Sequence, residues 1–245
     1  MKARILVIAG PTASGKTALG VEMALKLNGE VISADSMQIY KGMDVATAKP
    51  TTEEMKGVPH HLIGFLDRTV NFSVADYVDL ATKTAEDIIS RGKLPVVVGG
   101  TGLYISSFVN NIQFPEIKGD EEIRKRLTEE AKEFGNAYLL EKLKTCDPET
   151  AAELHENDLS RVRRALEVFE ATGRKMSDFK RESTMVESPF DFTAPAITYD
   201  DRQVLYDRIN RRVDIMMEEG LLDEVRSLVQ YRNLMPLNTV GYKPY

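Results

Sequence analysis

Residues 10–17 read Gly10-Pro11-Thr12-Ala13-Ser14-Gly15-Lys16-Thr17, a complete G-x-x-x-x-G-K-[ST] phosphate loop. The loop follows directly on the apolar run Ile5-Leu6-Val7-Ile8-Ala9 and leads into a helix-compatible stretch, Ala18 to Leu27. A buried strand that delivers the chain to a glycine-rich turn and then to a helix restricts the fold to an α/β layout. The glycines let backbone N–H groups converge on an anion, and the helix N-terminus adds its partial positive charge. Lys16 would reach phosphate oxygens, and the Thr17 hydroxyl would hold Mg²⁺, a hard cation that takes few protein ligands. The bland reading is a capped strand–turn–helix with a solvated Lys16; the flanking elements favour the phosphate site.

Strand and helix patterns continue to alternate. The runs Arg4–Ala9, Glu30–Ser33 and Leu94–Val98 are short, apolar and bounded by polar or turn residues. Between the last two, Val74–Arg91 reads as a helix with Ser73 as N-cap and Gly92 closing it. This predicts a parallel sheet with helices on both faces, of the P-loop NTPase type. Ligands of such sheets sit beyond the carboxyl ends of the strands. After Phe114-Pro115 the strand pattern stops. Helical runs are expected near 120–134, 136–145, 148–155, 158–172 and 175–181, so residues 116–189 read as an inserted all-helical domain. Residues 1–115 and 190–245 then form the core, with Ala194–Tyr199 a returning strand and a helix over Arg202–Tyr231 that breaks at Gly220.

Composition narrows the class. A net charge of −6 argues against indiscriminate binding to nucleic acid or anionic membrane. No apolar stretch approaches a membrane span, and the single cysteine, Cys146, allows no internal disulfide. A cytoplasmic enzyme, without a membrane partner and monomeric, is expected.

Three polar clusters fall at expected strand ends: Gly10–Thr17, Asp35–Gln38 and Gly99–Thr101. Asp35 is a candidate general base or metal ligand, set evenly against an Asx turn. Gly99 and Gly100 allow a ligand to approach closely, set against a tight turn, and Thr101 supplies a hydroxyl. A strand ending in Gly-Gly lacks the Mg²⁺-holding Asp that many phosphate-loop ATPases carry there, so the loop is read as binding a diphosphate without hydrolysing a nucleotide. Arg208 can clamp a leaving phosphate, although a solvated helix face is the commoner fate of an arginine. His60, His61 and His155 show no ligand spacing and read as structural or surface residues. The insertion is locally basic, with Arg161 and Arg164 on one helix face.

Together with Val31–Tyr40 (VISADSMQIY), Gly42–Pro50 (GMDVATAKP), Val58–Leu62 (VPHHL), Val97–Tyr104 (VVGGTGLY) and Asp158–Val168 (DLSRVRRALEV), these residues resemble the tRNA dimethylallyltransferases over almost the whole chain. The resemblance implies that Gly10, Pro11, Thr12, Ala13, Ser14, Gly15, Lys16 and Thr17 hold the diphosphate of dimethylallyl diphosphate rather than ATP, with Mg²⁺ on Thr17. It implies Asp35, Thr101, Lys16 and Arg208 as the catalytic set. Asp35, Ser36, Met37, Gln38 and Thr101 would meet the substrate base. Arg124, Ser160, Arg161, Val162, Arg163 and Arg164 would meet the tRNA anticodon stem-loop, gripped by the insertion. Members often carry Gln where Ser160 stands, which weakens that contact. They also continue into a basic helical segment beyond Gly241–Tyr245, so weak RNA binding is expected of the sequence as it stands.

Two other functions fit parts of the pattern. A prenyltransferase acting on AMP, ADP or ATP would share the loop and Asp35, but would leave the long, locally basic insertion with little to do. A small-molecule kinase is disfavoured by the Gly99-Gly100 strand end.

Overall fold

The strands form where β-branched and aliphatic residues are packed on both faces of a sheet, as the interior of a parallel sheet requires. In the computed structural model, which describes residues 2–114, 120–183 and 186–231, five strands form one parallel sheet. They are β1 (Ala3–Ala9), β2 (Gly29–Ser33), β3 (His60–His61), β4 (Leu94–Gly99) and β5 (Phe190–Thr193). Their order is β3-β2-β4-β1-β5, so β2, β4 and β1 lie inside. The register pairs Leu6 and Val31 with Val96, and Ile8 and Ser33 with Val98. The side chains of these positions point to one face. There Leu6, Ile8, Val31, Val96 and Val98 pack with Val21 and Ala24 of helix α1 (Lys16–Lys26). Gly20 permits that approach, since a Cβ there would lie 2.4 Å from Cγ2 of Val98.

Alternation sends Ile5, Val7, Ile32 and Val97 to the opposite face, where all are buried. After the short α2 (Thr52–Met55), α3 (Val74–Ser90) contacts β2 and β4, and α4 (Gly102–Val109) contacts β1. Ser73 caps α3 with a reciprocal capping box to Asp76, as its position predicts, and Gly92 follows with φ +72°. On β2, buried Glu30 accepts hydrogen bonds from Arg91 (2.5 and 2.8 Å), Lys93 (2.7 Å) and His61 (2.7 Å). The Arg91 guanidinium, followed by Lys93 and His61, holds this carboxyl far below the usual carboxylate range, against the effect of burial.

Residues 111–187 form a separate compact unit of five helices among the described residues: α5 (Glu121–Phe134), α6 (Asn136–Cys146), α7 (Pro148–Ala152), α8 (Leu159–Thr172) and α9 (Met176–Ser183). Leu127, Leu139, Leu143, Val162, Ala165 and Leu166 make its core. Residues 1–110 and 188–245 are the other unit. The expected boundary after Phe114-Pro115 and the terminus Gly241–Tyr245 touch or lie in residues outside those described.

Two strand expectations are corrected. The returning strand is Phe190–Thr193, not Ala194–Tyr199. Pro195 has no N–H to give to a ladder, and beyond Thr193 only an isolated bridge between Ala9 and Ala196 continues along β1. The second correction is β3, two residues long, which adds an edge that no periodicity announces. The long C-terminal helix does break at Gly220, which takes φ +94° between α10 (Arg202–Glu218) and α11 (Leu221–Leu228).

Candidate active site

The phosphate loop is shaped by two left-handed residues, Ala13 (φ 61°) and Gly15 (φ 85°). Alternating backbone of this kind turns successive amides inward. No side chain caps the N-terminus of α1, so its first amides face the loop. Lys16 donates to the carbonyl of Pro11 (3.1 Å), spanning the loop. Burial lowers the pKa of Lys16, and the neighbouring Arg212 lowers it further, while Asp35 opposes both. Two side chains from the C-terminal part of the same unit brace the loop from outside. Arg208 Nε donates to the Ala13 carbonyl (2.7 Å), and the Tyr199 hydroxyl donates to the Ser14 carbonyl (3.3 Å).

Asp35 follows β2. Its Oδ1 accepts from the amides of Met37 (2.9 Å) and Gln38 (3.2 Å), so the Asx-turn reading is realised. The same half-buried carboxylate lines a cavity of about 260 Å³ together with Thr12, Lys16, Thr17, Gly100 and Thr101. The turn reading and the functional reading are therefore compatible: one oxygen is held by backbone, and the turn fixes where the other points. Thr101 Oγ1 accepts from the amide of Ser36 (3.0 Å), tying the β4 end to the Asp35 turn. Its hydroxyl makes no cap to α4.

Several expected roles change. Gly99 lines the cavity and makes room for backbone as well: a Cβ there would lie 2.1 Å from the Ala34 carbonyl oxygen. Gly100 is the one that borders Lys16, with a Cβ position 3.5 Å from its Cε. The Gln38 amide, expected at the substrate base, donates to the carbonyls of Thr47 (3.2 Å) and Ala48 (3.1 Å) and accepts from Ser33 (3.3 Å). It holds a cavity wall in place. His60, expected to be merely structural or at the surface, lines the cavity; its Nδ1 donates to the Val58 carbonyl (2.8 Å). Burial, the larger effect, lowers its pKa, so the ring is neutral near pH 7.

A second cavity of about 680 Å³ runs along the outside of the loop, from Ala13 to Ala18, past Arg208, Arg211 and Arg212 of α10. Arg212 lines both cavities and was missed from sequence. Its signal was available, since it lies one helical turn beyond Arg208. Thr17 also lines both cavities, and its hydroxyl has no hydrogen-bond partner among the described residues. An unpaired hard oxygen beside a phosphate cradle fits Mg²⁺, which takes its remaining ligands from phosphate and water.

In the helical unit, Ser160 and Arg161 are exposed at the start of α8, and Arg161 has no ion-pair partner among the described residues. The expected contact by Val162 is corrected: its side chain is fully buried in the helical core. Arg163 donates to the Thr128 hydroxyl (2.7 Å). Arg124 (2.9 Å) and Arg164 (3.2 Å) converge on buried Glu167. Burial alone would raise the pKa of this carboxyl, but Arg124, the Asp120 amide and Arg164 keep it low and ionised. The basic patch is thus weaker than its count of arginines suggests.

The IPP transferase family model matches residues 38–245. The tRNA dimethylallyltransferase of Caldanaerobacter subterraneus is 47% identical over 246 residues, covering 100% of this chain and 75% of its own. That of Acetivibrio thermocellus is 49% identical over 242 residues, covering 98% and 77%. The full-length tRNA isopentenylpyrophosphate transferase structure from Bacillus halodurans superposes with a TM-score of 0.67 at 44% identity, over 99% of this chain and 76% of that one. A eukaryotic dimethylallyltransferase acting on tRNA superposes with a TM-score of 0.80 at 34% identity, over 94% and 56%.

Proposed function

The chain belongs to the IPP transferase family, and from that premise we propose that it transfers a dimethylallyl group from dimethylallyl diphosphate to N6 of the adenosine 3′ of the anticodon in tRNA, releasing diphosphate. The observation that carries this reading is one cavity in which the phosphate-loop residues Lys16 and Thr17 meet the strand-end carboxylate of Asp35. Such a cavity brings an anionic leaving group and a proton acceptor to one reacting centre.

The chemistry sets the demands. The exocyclic amine of adenine is a poor nucleophile, because its lone pair is delocalised into the ring. The allylic carbon must therefore be made electrophilic by stabilising the departing diphosphate. The C–O bond breaks with its electron pair leaving on diphosphate oxygen, the N6 lone pair forms the C–N bond, and the N6 proton passes to Asp35. Loop amides and Lys16 offset charge on the leaving oxygens, and Arg208 fixes the loop shape from outside. Thr17 would hold Mg²⁺, which when bound supplies further neutralisation of the diphosphate. Val31, Val98 and Ile63 give the cavity an apolar side suited to a prenyl chain. The reacting adenine must leave its stack to enter, as base-modifying enzymes require. Exposed Ser160 and Arg161 are the contacts of the helical unit best placed to meet an RNA backbone.

The test is transfer of labelled dimethylallyl diphosphate to unmodified tRNA, AMP and ATP in parallel. Label on tRNA alone is the expected result. Label on AMP without tRNA would replace it with an adenylate prenyltransferase, and loss of the ATP γ-phosphate to a small acceptor with a kinase.

A further inference from the structure

The backbone amides of Asp44, Val45 and Ala46 converge on one side chain. Glu224 Oε2 accepts from Asp44 (2.7 Å) and Val45 (2.8 Å), and its Oε1 accepts from Ala46 (3.0 Å). Successive N–H groups aimed at one point in a turn make a site for an anion. Here the anion is the chain's own carboxylate, brought by α11 from 180 residues beyond Asp44. Apolar contacts seat the helix: Leu221, Val225 and Leu228 share a buried cluster with Ile39, Tyr40 and Met43, and Met37 packs against it. Half-buried Glu224 adds what packing does not, a directional, charge-assisted hold on the turn itself.

The turn leads to the candidate base. Ala48 N–H donates to the Val45 carbonyl (2.9 Å) and Lys49 N–H to the Asp44 carbonyl (2.9 Å), so the anchored residues set the path of 47–49. Ala48 takes φ 43°, a left-handed conformation that residues with a Cβ rarely adopt and that the surrounding structure must hold. The Thr47 and Ala48 carbonyls are the two acceptors of the Gln38 side-chain amide (3.2 and 3.1 Å). The Gln38 backbone amide in turn donates to Asp35 Oδ1 (3.2 Å). A hydrogen-bonded line thus runs from Glu224 through the 44–48 turn to Gln38 and Asp35. Ala48 and Pro50 line the cavity that holds Asp35, whereas Glu224 stands behind the turn and lines neither cavity.

We propose that Glu224 is a positioning residue for Asp35: by gathering the 44–46 amides it fixes the carbonyls that hold Gln38, and with them the turn that aims the carboxylate. This rests on the function proposed above and gives α11 a part in it. Loss of Glu224 should slow the chemical step and leave diphosphate binding as it is, because the phosphate loop is braced separately by Arg208 and Tyr199.

The experiment uses the whole chain, with steady-state prenyl transfer, calorimetry of inorganic diphosphate with Mg²⁺, and amide hydrogen exchange. Glu224→Gln keeps the shape but turns an NH₂ toward backbone donors. It should lower kcat about 10–100-fold, the range for a displacement of up to 1 Å at a reacting centre, with diphosphate affinity unchanged. Protection should fall at residues 44–46 and also at Met37 and Gln38, whose amides Asp35 accepts. Gln38→Ala should lower kcat too, and the double variant should lose little more than the weaker single variant, since both changes cut one line. Asp223→Asn removes the neighbouring exposed carboxylate, paired with Arg226 (2.9 Å), and should behave as the parent, which separates the turn from a general effect of helix charge. Circular dichroism checks folding; Glu224→Asp, charged but one methylene short, takes the place of the glutamine variant if that one does not fold. An exchange change confined to 44–46, kcat losses that multiply in the double variant, or a loss of diphosphate affinity as large as the loss of kcat would each overturn the inference. A parent chain that transfers no prenyl group to tRNA would overturn the functional reading instead, and exchange at Met37 and Gln38 would still decide whether Glu224 holds the Asp35 turn.

Discussion

Gly99→Ala tests whether the end of β4 sets the position of the candidate base. The new methyl carbon would lie 2.1 Å from the Ala34 oxygen, 2.4 Å from its carbonyl carbon and 2.7 Å from its Cα. These are backbone atoms, and no rotamer can move them aside. Relief to an ordinary contact needs the ends of β2 and β4 to part by about 1 Å, at a cost of about 1–3 kcal/mol typical of overpacking. The bonds in the way are Ala34 N–H to Val98 O (2.8 Å) and Thr101 N–H to Ala34 O (3.1 Å). Asp35 is the next residue and Thr101 braces its turn, so both move with the strand ends. A 1 Å misplacement at a reacting centre costs about 10²-fold in rate. The assay is kcat/KM for prenyl transfer beside the thermal midpoint, where each kcal/mol is worth about 2–4 °C. Gly102→Ala is the control, because a Cβ there meets nothing within 4 Å. A Gly99→Ala enzyme that loses thermal stability yet keeps its kcat/KM would refute the idea that this contact positions Asp35.

Other perturbations follow from the same geometry. Asp35→Asn keeps an oxygen to accept from the Met37 and Gln38 amides but removes the base, so turnover should fall about 10²–10⁴-fold with little change in melting; a loss of stability with full activity would leave only the turn. Lys16→Ala should lower kcat about 10²–10³-fold and weaken diphosphate binding, read by single-turnover transfer and calorimetry; unchanged kinetics would remove the loop from the chemistry. Glu30→Gln leaves Arg91, Lys93 and His61 around a neutral amide and should destabilise by about 3 kcal/mol, the low end for a broken buried pair because Arg91 and Lys93 are partly solvated. The folded-state pKa of Glu30 is depressed, so its contribution is complete above the ordinary value of 4.5 and is lost as pH falls toward the lower folded value. The melting gap between parent and Glu30→Gln should hold from pH 7 to about 5 and close below about 4.5; a gap that widens in acid would contradict the depressed pKa.

How much of this was legible depended on the range of the interaction that decides each feature. The loop, α1, α3 and the three central strands are local: glycine placement, capping residues and short apolar runs carry them, and the structure has them there. The strand at Phe190–Thr193 was not, because the apolar content of 194–199 competes with it and Pro195 weighs against the later stretch only once a neighbour with a register exists. The site divides the same way. Asp35 could be placed at a strand end, but that its Oδ1 is held by two amides, and that the Gln38 side chain is spent on Thr47 and Ala48, depends on how the chain returns nine or ten residues later. Gly99 and Gly100 look alike in sequence and do different work: one accommodates the Ala34 backbone and the other borders Lys16. The arginines of α10 make the point most sharply. Arg208, Arg211 and Arg212 are equal as letters, and a helical period pairs the first with the third. Which of them is braced on Ala13 and which is left with a buried, unmet donor follows only from the angle at which α10 meets a loop almost 200 residues earlier. A functional site assembled across that distance records its electrostatic needs in the fold, in a cation whose buried Nε finds no hydrogen-bond partner among the described residues.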